Sequence, residues 1–184
     1  MKEKGEKYCI VFFLKGSAKK HHIKLSNKLS DIFGVARVSE KIDPHITLKG
    51  FTSLIKKSEI EELKILLQNF CKRSCRVNIK LKGIGKFTDK VIFIEVIPTK
   101  EMKKLYKNFV KELEKLKWIK WNKYDKENMH FHATLVANTT PNKFKKIYET
   151  ALKEKPNFDL KLDNICILIK PKERWELYKE FKLK

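Results

Sequence analysis

The chain alternates between two hydrophobic periods from end to end. Residues 8–14 form a continuous apolar run of strand type, and Gly16 and Ser17 then open a helix carrying Ala18, Leu25, Leu29 and Ile32. A short strand follows Pro44. The next helix begins at a Ser-x-x-Glu box, Ser58 and Glu61, and its apolar positions Ile60, Leu63, Leu67 and Phe70 recur at the 3.6-residue period. Val77, Ile79 and Leu81 alternate with Asn78, Lys80 and Lys82, the pattern of a strand buried on one face.

The same order then returns. Residues 91–97 read as a strand stopped by Pro98, and Thr99 caps a helix with Met102, Leu105, Tyr106, Phe109, Leu113 and Leu116 on one face. A strand over 132–137 precedes a helix with Thr140 as cap and Pro141 at its first position, turning Phe144, Ile147, Tyr148, Ala151 and Leu152 inward. Phe158, Leu160 and Leu162 alternate, and strands over 165–169 and 175–181 close the chain. Each half therefore reads strand, helix, His-x-Thr strand, helix, strand. Such duplication predicts two similar lobes related by a pseudo-two-fold, with matched strands facing across a cleft. No linker or low-complexity stretch divides them, so residues 1–184 are expected to form one bilobal domain. The Lys/Asn-rich stretch 120–128 is expected to be an exposed loop able to line the cleft.

Both of the repeated strands carry the same residues: His45-Ile46-Thr47-Leu48 (motif one, 45–48) and His132-Ala133-Thr134-Leu135 (motif two, 132–135). On a strand, residues two apart point the same way, roughly 7 Å apart at Cα. Each His and Thr thus share one face, and the apolar residues anchor the other. Two imidazoles with an ordinary pKa near about 6.5 can divide acid and base work at a phosphodiester, one deprotonating the nucleophile and one protonating the leaving oxygen. Two hydroxyls can donate to the non-bridging oxygens as the pentacoordinate state forms. This scheme needs neither metal nor cofactor. A lone His-x-Thr in a strand is more often structural; its repetition at equivalent places in a duplicated frame is what points to chemistry. A rival reading takes His130 and His132, on one strand face, with His45 as a metal set, but it leaves both threonines unexplained. His21 and His22 are adjacent on a helix, diverge by about 100 degrees, and are expected to be surface and boundary residues.

Composition narrows the picture further. The 184-residue chain carries a net charge of +21, nearly all from lysine, since Arg37, Arg73, Arg76 and Arg174 are its only arginines. Such charge attracts nucleic acid, although a Lys/Ile/Asn/Phe-rich composition also follows from genomic nucleotide bias. It also disfavours self-association at low salt, so a monomer is expected. A hydrophobic content of 42% and an aromatic content of 11% exclude wholesale disorder. Cys9, Cys71, Cys75 and Cys166 have no zinc-type spacing and read as reduced thiols. The apolar run 8–14 is too short to span a membrane and lacks a cleavage site after it, so a soluble cytoplasmic protein is expected.

At these motifs the sequence resembles the two-histidine (2H) phosphoesterase superfamily, and in particular its bacterial and archaeal 2'-5' RNA ligase group, whose members act as RNA 2',3'-cyclic phosphodiesterases. The resemblance covers nearly the whole chain. It takes in the opening strand over 8–13, the motif from Pro44 to Lys49, the turn Gly83-Ile84-Gly85-Lys86-Phe87, the second motif and the closing strand over 175–181. It implies a bilobal α+β fold with two mostly antiparallel sheets, flanking helices and a central cleft. It implies opening of a 2',3'-cyclic phosphate on an RNA or oligonucleotide end by water, leaving a 2'-phosphate, with reversible 2'-5' ligation as a second activity. By motif position His45 would be the general acid and His132 the general base, roles that are interchangeable at this level, while Thr47 and Thr134 hold the phosphate. The chain departs from its relatives in having Val136-Ala137-Asn138 where many carry a basic residue, Phe131 where proline often precedes the second His, and Lys49-Gly50-Phe51 after the first motif. Lys49, or a lysine of 120–126, is a candidate for the missing charge, and Phe87 and Tyr124 are candidates for base stacking, worth about 1–3 kcal/mol per base. The alternatives are a phosphodiesterase of 2'-5' linked oligonucleotides and a lysine-rich RNA-binding module without catalysis.

Overall fold

The computed structural model describes residues 5–51 and 53–184. Among these, eight strands build two four-stranded antiparallel sheets, ordered β2-β1-β7-β8 and β5-β4-β3-β6. In chain order the strands are β1 (Tyr8–Phe13), β2 (His45–Gly50), β3 (Val77–Phe87), β4 (Val91–Pro98), β5 (His132–Ala137), β6 (Asn157–Leu162), β7 (Asn164–Ile169) and β8 (Glu176–Lys182). The helices are α1 (Gly16–Phe33), the short α2 (Val38–Lys41), α3 (Lys57–Lys72), α4 (Lys100–Leu113) and α5 (Pro141–Leu152). This is the duplicated α+β arrangement of two lobes expected from the alternating pattern.

The lobes are not, however, the two halves of the chain. Strand β3 leaves the first half to pair with β4 and β6, and β7 returns from the end of the chain to pair with β1. The helices cross as well. α1 follows β1 but packs over β5 and α5 of the other sheet, while Met102, Leu105, Tyr106 and Phe109 of α4 meet Phe12, Leu48 and Ile165 of the first. Each motif strand is thus covered by a helix from the opposite lobe. One continuous core results, running from Ile10 and Phe12 through Ile46, Leu48, Ile94, Ala133 and Leu135. A smaller apolar cluster of Cys9, Val11, Cys166 and Leu168 lies on the other face of the first sheet, with Phe13 and Trp175 against it.

Several local expectations need correction, among them Leu152, read as turned inward on α5 but 48% exposed. The residues Gly83 to Phe87, read as a turn, are the second half of β3: its register with β4 slips between Leu81 and Ile84, and Gly83 takes φ 85 there. The first box of α3 is displaced: the helix begins at Lys57, the Glu59 carboxylate accepts from Lys56 N at 2.8 Å, and Glu61 instead pairs with Lys64. His22, expected at a boundary, is 2% exposed. By contrast, Thr99 Oγ1 accepts from Met102 N at the start of α4 as the pattern required. Among the described residues no helix is long and apolar enough to cross a membrane.

Candidate active site

β2 and β5 are edge strands of different sheets, and they approach within 8 Å (Cα–Cα) without pairing. Their alternation buries Ile46 and Leu48 on one strand and Ala133 and Leu135 on the other, which leaves His45, Thr47, His132 and Thr134 half-buried on the opposite face. Both strands contain the same irregularity. Val11 and Ile10 pair with Thr47 and Lys49, skipping Leu48; Phe93 and Ile92 pair with Thr134 and Val136, skipping Leu135. A bulge directly after each Thr bends the strand and re-aims its neighbours.

The imidazoles are held identically. His45 Nδ1 lies 2.8 Å from the carbonyl oxygen of Asp43, and His132 Nδ1 lies 2.8 Å from that of His130. A carbonyl only accepts, so each Nδ1 carries the proton and each Nε2 is left with a free lone pair. Burial pushes the His45 pKa down to about 4, the bond to Asp43 opposes this, and the nearby His132 adds to the depression. Burial also lowers the His132 pKa and the nearby His130 ring adds to this, against the bond to the His130 carbonyl and the weaker attraction of Glu95. At neutral pH both rings are therefore uncharged. Among the described residues neither Thr47 nor Thr134 spends its hydroxyl on an internal hydrogen bond, so both remain available to a ligand.

The surroundings break the symmetry. Across the ladder His45 faces Phe13, whereas His132 faces Glu95, whose carboxylate accepts from His130 Nε2 at 2.9 Å. Phe87 stands edge-on to His132, with ring centroids 4.8 Å apart, and stacks obliquely on Phe93 at 4.3 Å. It therefore walls the imidazole. Lys49 is turned inward, 1% exposed, with Nζ 2.6 Å from Asp125 and over the Trp121 ring at 4.9 Å. It docks the loop after α4 instead of offering charge to the cleft. Tyr124 is 67% exposed in that loop, beside Lys123. Among the described residues no three His, Cys, Asp or Glu side chains converge as a metal-ligand set, so the rival grouping of His45, His130 and His132 is not assembled.

Sequence reading missed the support behind motif two. His22 Nε2 donates to the Thr134 carbonyl at 2.8 Å, and Ser26 Oγ donates to the Leu135 carbonyl at 2.7 Å. Both carbonyls lie at the bulge of an edge strand, and α1 supplies donors to them from one face, four residues apart. The available signal was three polar residues, His22, Ser26 and Ser30, on a helix face otherwise made of Ala18, Leu25 and Leu29.

Two edge strands bearing paired His-x-Thr motifs in an intertwined α+β frame define a two-histidine phosphoesterase architecture. A family model described as the 2'-5' RNA ligase superfamily matches residues 23–174, and the chain belongs to that superfamily. Among solved structures it is similar to Escherichia coli LigT complexed with 3'-AMP (TM-score 0.71, 14% identity, covering 98% of this chain and 99% of that one). It is similar also to TT0787 of Thermus thermophilus (TM-score 0.70, 16% identity, 96% and 97% covered). A more distant likeness is Usb1 of Kluyveromyces marxianus (TM-score 0.55, 12% identity, 98% and 99% covered). No curated protein matches the chain significantly.

Proposed function

We propose that this protein opens the terminal 2',3'-cyclic phosphate of RNA with water, leaving a 2'-phosphate, with His45 and His132 as the acid–base pair. One observation carries the reading: two edge strands face each other, each presenting an imidazole whose Nδ1–H is locked to the carbonyl two residues back. Nε2 on each ring is then the atom that takes or gives a proton. The base removes a proton from water as its oxygen bonds to phosphorus; the bond from phosphorus to the 3'-oxygen breaks, and the acid protonates that oxygen. The Thr47 and Thr134 hydroxyls donate to the non-bridging oxygens as charge builds there. A 5'-hydroxyl in place of water gives the reverse ligation through a 2'-5' bond.

The asymmetry of the site supports roles opposite to those implied by motif order. Burial depresses the pKa of His45, which faces apolar Phe13, to about 4, whereas His132, depressed less, has the Glu95 carboxylate across the ladder to offset part of the opposing effect of His130. His132 is the acid and His45 the base. Because burial favours the neutral form of both rings, the acid's proton is taken up with the anionic substrate, whose charge favours it. The similarity to LigT, solved with 3'-AMP and with phosphate, supports a nucleotide phosphate as ligand.

The test is hydrolysis of adenosine 2',3'-cyclic phosphate in the presence of a chelator. His45→Ala and His132→Ala should each lower kcat/KM by about 10²–10⁴-fold. Turnover indifferent to either substitution removes the proposal.

A further inference from the structure

A second concave surface adjoins the histidines. A groove of about 890 Å³ runs between the end of β4, the exposed side of α4 and the loop leading into β5. Glu95 and His130 form its sill, and the His130 ring lies 6.4 Å from that of His132. Its floor is apolar, with Val96, Val110, Met129 and Phe131. One wall carries Lys103, Lys107 and Lys111, all exposed. Among the described residues none of these three ammoniums is ion-paired.

We propose that this groove holds the RNA chain leading to the terminal phosphate, with the α4 lysines on successive backbone phosphates. The inference rests on the reading of the histidine site given above and adds the substrate's length: an oligonucleotide, not a mononucleotide. Three features favour a nucleotide chain. The lysines recur every four residues, about 6 Å per step along the helix, a spacing comparable to that of phosphates along a single strand. The groove's volume lies at the upper end of the roughly 300–1,000 Å³ typical of small-molecule sites, ample for nucleotides beyond the terminal one. Charge also complements such an occupant. Glu114 is met by Lys126, so among the described lining residues three free ammoniums stand against the two carboxylates of Glu95 and Glu127. An apolar floor beneath a cationic wall suits bases and riboses lying flat with their phosphates turned to one side.

The experiment compares the wild type with Lys103→Ala/Lys107→Ala/Lys111→Ala. It measures turnover of adenosine 2',3'-cyclic phosphate and of a decaribonucleotide ending in the same group. It also measures binding of a fluorescein-labelled decaribonucleotide ending in a 2'-phosphate across a salt series. The triple variant should lose about ten- to a hundredfold in oligonucleotide affinity and kcat/KM, with mononucleotide kcat/KM within about twofold. The slope of log K against log salt should flatten by about 2, three contacts at about 0.7 each for a single strand. Unchanged oligonucleotide binding, or equal losses on both substrates, overturns the proposal. So does polyglutamate of equal charge displacing the labelled strand as well as unlabelled RNA does. If the wild type turns over neither substrate while the variant still loses RNA affinity, the groove stands and the catalytic reading falls.

Discussion

Replacing His22 by Ala tests whether α1 sets the geometry of motif two. The imidazole is buried, and burial pushes its pKa down to about 4 against the opposing bond to Thr134, with the neighbouring His45 and His21 adding to the depression. It is neutral at pH 7, and its proton sits on Nε2 because the Thr134 carbonyl can only accept. Among the described residues its Nδ1 has no partner, so the ring's one polar bond is to the motif strand. Truncation removes that donor, strands a carbonyl at a closed sheet edge and opens a void. An unsatisfied buried acceptor costs about 1–3 kcal/mol and the void adds to it, so we expect a loss of about 2–4 kcal/mol. For a chain of this size that lowers Tm by roughly 5–15 °C.

Stability alone would not separate a scaffold residue from a positioning one. The distinguishing measurement is kcat on adenosine 2',3'-cyclic phosphate, taken well below the Tm of each variant. A slack carbonyl at Thr134 displaces its hydroxyl, and a misplacement near 1 Å costs up to about a hundredfold in rate. His22→Gln keeps a donor close to the Nε2 position and should recover most of the kcat, whereas Ser26→Ala should cost less because it frees only the Leu135 carbonyl. If His22→Ala lowers Tm with kcat intact, or His22→Gln behaves like His22→Ala, the donor is not what positions Thr134.

Other consequences follow from the same contacts. Glu95→Gln removes the carboxylate that favours a proton on His132, so the limb of the pH–rate profile requiring the acid should move to lower pH; an unmoved limb would return the acid role to His45. Among the described residues Lys49→Met leaves Asp125 buried with only the Asn122 N–H at 2.8 Å, and denaturant titration should register a loss of about 3–5 kcal/mol, part of it restored in Lys49→Met/Asp125→Asn. His22 and His45 fold with pKa values pushed down to about 4 from an ordinary 6.5, so below pH 6.5 the unfolded chain binds protons that the folded one refuses. Their contribution is complete above pH 6.5 and drains away toward pH 4, by about 1.4 kcal/mol per pH unit for each group. Urea midpoints should fall across that window, and more gently in His22→Gln.

The elements legible from the sequence were those whose signal is local. The two motif strands, the Thr99 cap and the apolar faces of α1, α3, α4 and α5 each declare themselves within a dozen residues. Beyond the hairpin of β3 and β4, assignment of strands to sheets depends on pairing between distant segments, so nothing local told that β3 would join β6, that β7 would join β1 or that α1 would cross to β5. Two glycines in five residues gave 83–87 the signature of a turn. In the strand they serve other ends: Gly83 accommodates the register slip, and a Cβ on Gly85 would overlap Glu95 Oε1 and the Phe93 ring.

The duplication itself contained more than its repeated motifs. Positions 18, 22, 25, 26 and 29 of α1 have the spacing of 102, 106, 109, 110 and 113 of α4, all of them buried. This aligns His22 with Tyr106 and Ser26 with Val110, and the bulge registers align Phe13 with Glu95 and Lys49 with Val136. Apolar positions agree between the halves because both must fill one core. The pairs that disagree differ in polarity or in the polar group they carry, and each lies on or against a motif strand. Motif one is backed by an apolar helix, a docked lysine and an apolar cross-strand neighbour; motif two is tethered by hydrogen bonds and faces a carboxylate. A reaction that needs one acid and one base from two copies of the same four residues requires such a difference, and it resides in the neighbours rather than in the motifs.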